Sequence, residues 1–249
     1  MNETVKVIQS LRSIREFSDK KIAKKDLDAI INSSVRAANA SGRQSYSIIV
    51  VDEKEVLDKL FYGSNIGLLF CVDFNRLIDT AKHMEYEYGP KNIRLFITGS
   101  IDTCLAAQTA AISAKSLGID SLFTNSVHRA KMDEVYKQFN LPEHYCFPMI
   151  ALCLGYAKEE PEWKRGRLSG PGIIHYNKYK RLSTKELEQL VKDYDDQEIC
   201  LGAPATRLSE MGFERYLDWF FTKWNRPFPE EKIKELYDTL KKAEFLKET

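Results

Sequence analysis

The chain has 249 residues, 43% of them hydrophobic, with 37 Lys and Arg against 36 Asp and Glu for a net charge of +1. An apolar share of that size excludes a disordered polymer, and the length suits one large domain or two small ones. The near-neutral balance excludes a dedicated nucleic-acid binder, which carries a strong basic excess, so any basic cluster here is a local feature.

The N-terminal stretch "MNETVKVIQSLRSIREF" is charged throughout and has no apolar h-region, so it does not read as a signal peptide. Val5, Ile8 and Leu11 recur at three-residue spacing and predict a short amphipathic helix over residues 2–12. "RSIREF" ends it, with Arg12 and Arg15 around Ser13. "KKDLDAIINSSVRAA" predicts a second helix, with Leu27, Ile30, Ile31 and Val35 on one face. "YSIIVV" (46–51) reads as a buried strand, "EKEVLDKLF" as a short helix and "IGLLFCVDF" (66–74) as another buried strand. The longest apolar run, "IGLLFCV", is far short of the ~20 residues a membrane helix needs. These features predict a soluble, cytoplasmic protein without a membrane or nucleic-acid partner.

The segment "SIDTCLAAQTAAISAKSLG" (100–118) predicts a helix that is small or apolar almost all round. Its only charges are Asp102 near the start and Lys115 near the end, the signs the helix dipole prefers, and Gly118 stops it. A helix with no polar face is expected to be buried on all sides, at the centre of the molecule or at a seam between two subunits. "DSLFTN" reads as a strand, "RAKMDEVYKQFN" as a helix and "CFPMIALCLGY" (146–156) as a further buried strand. "WKRGRLSGPGIIHYNKY" is irregular and rich in Gly and basic residues. "STKELEQLVKDYDD" opens with Ser183 and Glu186 in capping-box spacing, so a helix follows. Helical patterns around "FERYLDWFFTKW" and "PEEKIKELYDTLKKAEF" close the chain, with "DDQEICLGAPATR" as an ordinary connection before them. Strict β-α-β alternation is not sustained, which predicts one α+β domain whose sheet carries helices on both faces.

Few chemical motifs are present. There is no G-x-G-x-x-G after a strand and no G-x-x-x-x-G-K-[ST], so the usual dinucleotide and P-loop cradles are missing, and no glycine motif marks a nucleophilic serine. His83, His128, His144 and His175 show no ligand spacing and read as surface or packing residues. Cys71, Cys104, Cys146, Cys153 and Cys200 form no C-x-x-C pair and read as reduced, buried thiols, with no zinc site. What remains is basic residues in loops: Arg12 and Arg15 near the N-terminus, and Lys164, Arg165 and Arg167 after residue 156. A guanidinium presents a planar fork of donors suited to phosphate, so two such clusters converging would make an anion site. On composition alone, five solvated loop residues are the competing reading.

A family resemblance bears on that choice. "LRSIREF" resembles the N-terminal R-x-S-x-R/K element of the nitroreductase family, the homodimeric FMN-dependent oxidoreductases. "IINSSVRAANASGRQSYSIIVV" is similar to the family's helix, small-residue loop, glutamine and strand. "LLFCVDFNR", "DTCLAAQTAAISAKSLGIDSLFTNSV" and "PMIALCLGYAKEEPEWKRGRLSGPGIIHYNKY" resemble later elements of its oxygen-insensitive nitroreductase and NADPH-flavin oxidoreductase subgroup. The five stand in the family's order over residues 8–180. The resemblance implies a nitroreductase-like α+β fold: a mixed, mainly antiparallel sheet flanked by helices on both faces. It implies a single FMN-binding domain over 1–249, with 183–249 a helical extension packing on it.

By the same resemblance the anion is the FMN phosphate. Arg12, Ser13 and Arg15 match the first flavin-contacting element, and Arg165 and Arg167 match the basic pair of a late K-P-R element. Asn39 and Ser41 fall in the loop along the flavin. Asn125 and Ser126 fall where relatives usually have two glycines against the ring. Arg15 is the candidate for the flavin's N1 edge, with service to the phosphate or ribityl chain as the alternative. The implied activity is NAD(P)H-dependent reduction of nitroaromatics, quinones or flavins by ping-pong hydride transfer, in a homodimer whose acceptor is small and aromatic or quinone-like. The contrasting reading is an FMN store or sensor with little turnover. The sequence departs from the pattern at Leu11, where many relatives have a basic residue, at Asn125 and Ser126, at Gly166 in place of proline, and in the short "FYGSNIGLL" segment, where Asn65 is the only candidate for the pyrimidine edge.

Overall fold

The four apolar runs pair into one sheet of order β1-β2-β4-β3 in the computed structural model, which describes residues 1–89, 92–161 and 163–246. The strands are β1 Tyr46–Val51, β2 Ile66–Asp73, β3 Asp120–Thr124 and β4 Cys146–Gly155. In chain order the helices are α1 Glu3–Ser10, α2 Lys24–Ser34, α3 Lys54–Leu60, α4 Asn75–His83, α5 Ile93–Ser116, α6 Ser126–Arg129, α7 Met132–Phe139, α8 Thr184–Asp195, α9 Ala205–Glu210, α10 Tyr216–Trp219 and α11 Glu230–Lys242. The chain divides into two units, Met1–Glu160 with Pro229–Thr249, and Pro161–Phe228.

All three strand pairs are antiparallel, and an irregularity between Phe70 and Cys71 interrupts the β2–β4 register. The parallel component is a single bridge between Ser13 and Ser121. Successive side chains of a strand point to opposite faces, so a strand buried on both faces reads as a continuous apolar run. That is why "LLFCV" is unbroken. Leu68 and Phe70 meet Ile30 and the alanines of α5 on one face. Leu69 and Cys71 meet Leu57, Phe61, Val127 and Val135 on the other. The sheet therefore has helices on both faces, as the pattern implies.

Helix α5 differs from its expectation in three ways. It begins at Ile93, because Asn92 caps it by accepting the Leu95 N–H at 3.0 Å. Asp102 consequently lies in the third turn, not at the start, and is buried. Nor is the helix buried all round. Ala106, Ala107, Ala110, Ala111 and Ala114 pack inward, while Ile93, Ile97, Ile101 and Leu105 form an exposed stripe at four-residue spacing. Cys104 is also exposed, unlike the other four cysteines. Among the described residues α5 alone has the length and apolarity of a membrane span, but its alanine face is part of the core against the sheet.

The last helix returns to the first unit. Leu236, Leu240 and Phe245 pack with Phe74, Phe96 and Phe147, the Phe245 and Phe96 ring centroids lying 5.0 Å apart. Glu235 accepts the Met132 N–H at 2.7 Å and pairs with Lys232, so α11 supplies the N-terminal cap that α7 lacks within its own segment.

Candidate functional site

The segment after α1 is held as an extra rung on β3. Ser13 bridges Ser121, and the Ile14 N–H donates to the Ser121 carbonyl at 3.0 Å. Ile14 is buried and pins the segment, which leaves Ser13 and Arg15 exposed on either side of it. Phe17 then bridges Ala157, and a Cβ on Gly155 would stand 2.6 Å from the Phe17 ring, so only glycine at the end of β4 lets that ring in. Covering the open edge of β3 in this way also blunts it against pairing with other chains.

Arg12 is half-buried. Its Nη2 pairs with Glu160, while its Nε is buried with no hydrogen-bond partner. A buried guanidinium N–H left unmade costs free energy, so the site is short of an acceptor. Arg15 stands three residues on, exposed, with no hydrogen bond among the described residues. An anion with several acceptor oxygens would supply the acceptor that the Arg12 Nε lacks, and phosphate is such a group. Asn125 and Ser126 lie just past the other end of β3. Along β3, the Ser13 bridge at Ser121 and Asn125 are about 13 Å apart at ~3.3 Å per residue.

Asn125 is exposed and sits at the N-cap of α6. Ser126 donates its hydroxyl to the Leu60 carbonyl, and its N–H donates to Thr124 Oγ1 at 3.1 Å. The hydroxyl is therefore committed to the protein. Asn65, the candidate for a pyrimidine-edge contact, donates its amide to the Ser18 carbonyl at 3.0 Å, while its Oδ1 is buried without a hydrogen-bond partner.

Asn39 and Ser41 lie in a tight loop. Asn39 Oδ1 accepts the Gln44 N–H at 3.1 Å, and Ser41 takes a left-handed backbone with φ 57°. The Ala40 N–H donates to Asp102 Oδ1 at 2.9 Å. Sequence reasoning missed this anchor because it assigned Asp102 to the helix dipole. A lone carboxyl in an apolar helix was the signal that a partner had to exist.

Arg165 and Arg167 belong to the second unit and are both exposed. Arg165 lies over the Trp163 ring at 5.6 Å, and Arg167 Nη1 donates to the Gly166 carbonyl at 2.8 Å. Gly166 explains its own departure from proline. Its N–H donates to the Cys200 carbonyl at 3.1 Å, and an added Cβ would lie 2.1 Å from the Ile199 carbonyl oxygen. In the same unit the predicted capping box of α8 is formed, and its two Ser183 hydrogen bonds lower the Glu186 pKa to about 2.

Among the described residues, the Cys71, Cys104 and Cys153 thiols are pushed toward the protonated form. The Cys71 thiol is pushed well above its usual pKa by its hydrogen bond with Cys146 and then by burial; burial raises Cys104 and pushes Cys153 up to about 12. Burial lowers the pKa of His128, whose Nε2–H donates to the Pro148 carbonyl at 2.8 Å. Among the described residues no group of three His, Cys, Asp or Glu side chains is placed to hold a metal.

A four-stranded antiparallel sheet with helices on both faces is the architecture of the nitroreductase fold, and the comparisons agree with it. Residues 8–62 match the model of the Nitroreductase family. The chain is 29% identical over 211 residues to the FMN reductase [NAD(P)H] of Bacillus subtilis, covering 79% of this chain and 82% of that one. It is 28% identical over 206 residues to the oxygen-insensitive NADPH nitroreductase of Salmonella typhimurium, over 79% and 81%. Its fold superposes on B. megaterium NfrA2 with a TM-score of 0.82 at 26% identity, covering 100% of both chains. The resemblance to nitroreductases read from the five sequence elements is borne out.

Proposed function

We propose that the chain is an FMN-dependent NAD(P)H oxidoreductase, reducing nitroaromatics, quinones or flavins by ping-pong hydride transfer. The observation that carries this reading is Arg12, whose half-buried guanidinium has an unpartnered Nε. In this reading Arg12, Ser13 and Arg15 hold the phosphate end, with Arg165 and Arg167 assigned to it by sequence correspondence. Asn39 and Ser41 line the cofactor, and Asn125 and Ser126 lie at its ring. Bound FMN supplies hydride acceptance and donation; the chain binds, orients and shields it, and needs no acid or base of its own. The relatives that act on NAD(P)H, FMN and nitro compounds support the substrate class.

The low-turnover store or sensor rests on side chains crowding the ring. Ser126 engages the Leu60 carbonyl, which favours the reductase. The reading further takes the chain as a cytoplasmic homodimer, with the α5 stripe of Ile93, Ile97, Ile101 and Leu105 as the subunit seam, since an exposed apolar stripe of that length needs cover. Anaerobic mixing of the FMN-loaded protein with NADH and with NADPH tests the activity. Loss of the oxidised flavin absorbance with at least one donor is expected; retention of it with both overturns the reductase.

A further inference from the structure

The loop from Asn39 to Gln44 has an unusual concentration of left-handed backbone. Ser41, Gly42 and Gln44 have φ of 57°, 67° and 49°. For residues with a Cβ this region is disfavoured, and such conformations persist where the surroundings over-determine them. Two side chains from distant elements do so here. From α5, buried Asp102 takes the Ala40 N–H on Oδ1 at 2.9 Å, and its Oδ2 is buried with no partner. From α4, Arg76 Nη2 donates to two successive carbonyls, Arg43 at 2.7 Å and Gln44 at 2.8 Å. A buried carboxyl that satisfies only one oxygen is costly, and nothing in the packing of α5 needs it, since its neighbours on that face are small. One Nη2 donating to both carbonyls fixes the orientation of both peptide planes.

We propose that Asp102 and Arg76 are positioning residues that lock the 39–44 loop in its strained shape, so that Asn39 and Ser41 are presented to the cofactor already in register. The proposal rests on the FMN reading for what the loop presents, but not for the lock itself. Preorganisation of this kind removes the ordering cost that a free loop would pay on binding. The lock acts from both ends: Asp102 holds the entry at Ala40 and Arg76 holds the exit at Arg43 and Gln44.

Two measurements test it. Amide hydrogen exchange on the cofactor-free chain is compared for wild type, Asp102→Ala and Arg76→Ala. Exchange over 40–44 is expected to rise about tenfold, the loss of one strong hydrogen bond, with β2 and β4 unchanged. Unchanged loop exchange in both variants overturns the lock. Arg76 is exposed, so its variant keeps the test open should Asp102→Ala fail to fold. FMN titration then reads the positioning role: both alanine variants are expected to bind about tenfold more weakly, and Asp102→Asn, which keeps an oxygen acceptor, to recover to within about twofold. Looser exchange with unaltered FMN affinity and flavin spectrum overturns the positioning role. A wild-type chain that binds no FMN sinks the cofactor reading instead, and the exchange comparison still decides the lock.

Discussion

Placing a proline at Gly166, between the basic pair, should harm this chain. At Gly166 a new Cβ would stand 2.1 Å from the Ile199 carbonyl oxygen, a backbone atom that cannot swing away. The backbone there is not left-handed, so the demand is for space alone. Overpacking of this kind costs about 1–3 kcal/mol, which is the expectation for Gly166→Ala. Gly166→Pro adds the loss of the N–H that donates to the Cys200 carbonyl at 3.1 Å, about 1 kcal/mol more. The control is Gly170, four residues on, where a Cβ meets nothing within 4 Å. Gly170→Ala should be neutral or gain a few tenths of a kcal/mol from the unfolded chain. Limited proteolysis across 161–228, with thermal denaturation alongside, would rank the variants Gly170→Ala, then Gly166→Ala, then Gly166→Pro in falling resistance. Equal resistance of Gly166→Ala and Gly170→Ala would refute the steric argument.

Replacing Arg167 by Ala should weaken FMN binding by roughly 1.5–3 kcal/mol, a lost charged hydrogen bond; unaltered affinity on titration removes Arg167 from the site. His128 has its pKa lowered by burial, so its contribution is fully present above the unfolded value of 6.5 and declines as pH falls below it toward the folded value. Melting followed from about pH 7.5 to about pH 5 should show that loss, and His128→Gln should flatten it; an identical slope in the variant would discard the assignment. Glu235→Ala removes the cap on Met132 and the Lys232 pair, and should cost about 1–2 kcal/mol, near 2–8 °C in Tm. Ile101→Lys puts a charge in the centre of the α5 stripe. A dimer seam predicts conversion to monomer by light scattering at micromolar concentration, whereas a wild-type monomer would dismiss the seam.

Local chemistry wrote much of the architecture in advance. The strands are visible because a two-faced buried strand must be apolar at every position, and "LLFCV" is so. The Ser183 and Glu186 box is visible because both partners lie within one turn. The arginines of "LRSIREF" are visible in the sequence as a local basic pair, but the Glu160 partner of Arg12 is not, because it lies 148 residues away. Other features were decided only when distant segments met. The start of α5 lies outside the apolar pattern, at the cap Asn92, which composition alone does not mark. Asp102 looked like a dipole ornament until its partner, 62 residues away, closed on it. Cys104 and the isoleucine stripe sit in sequence surroundings as apolar as those of the buried residues, yet α5 turns them outward. The reason is one of range: periodicity and caps act within a turn or two and can be read along the chain. Burial of a given face, the partner of a lone carboxyl and the space beside Gly166 depend on atoms that only the folded chain brings near.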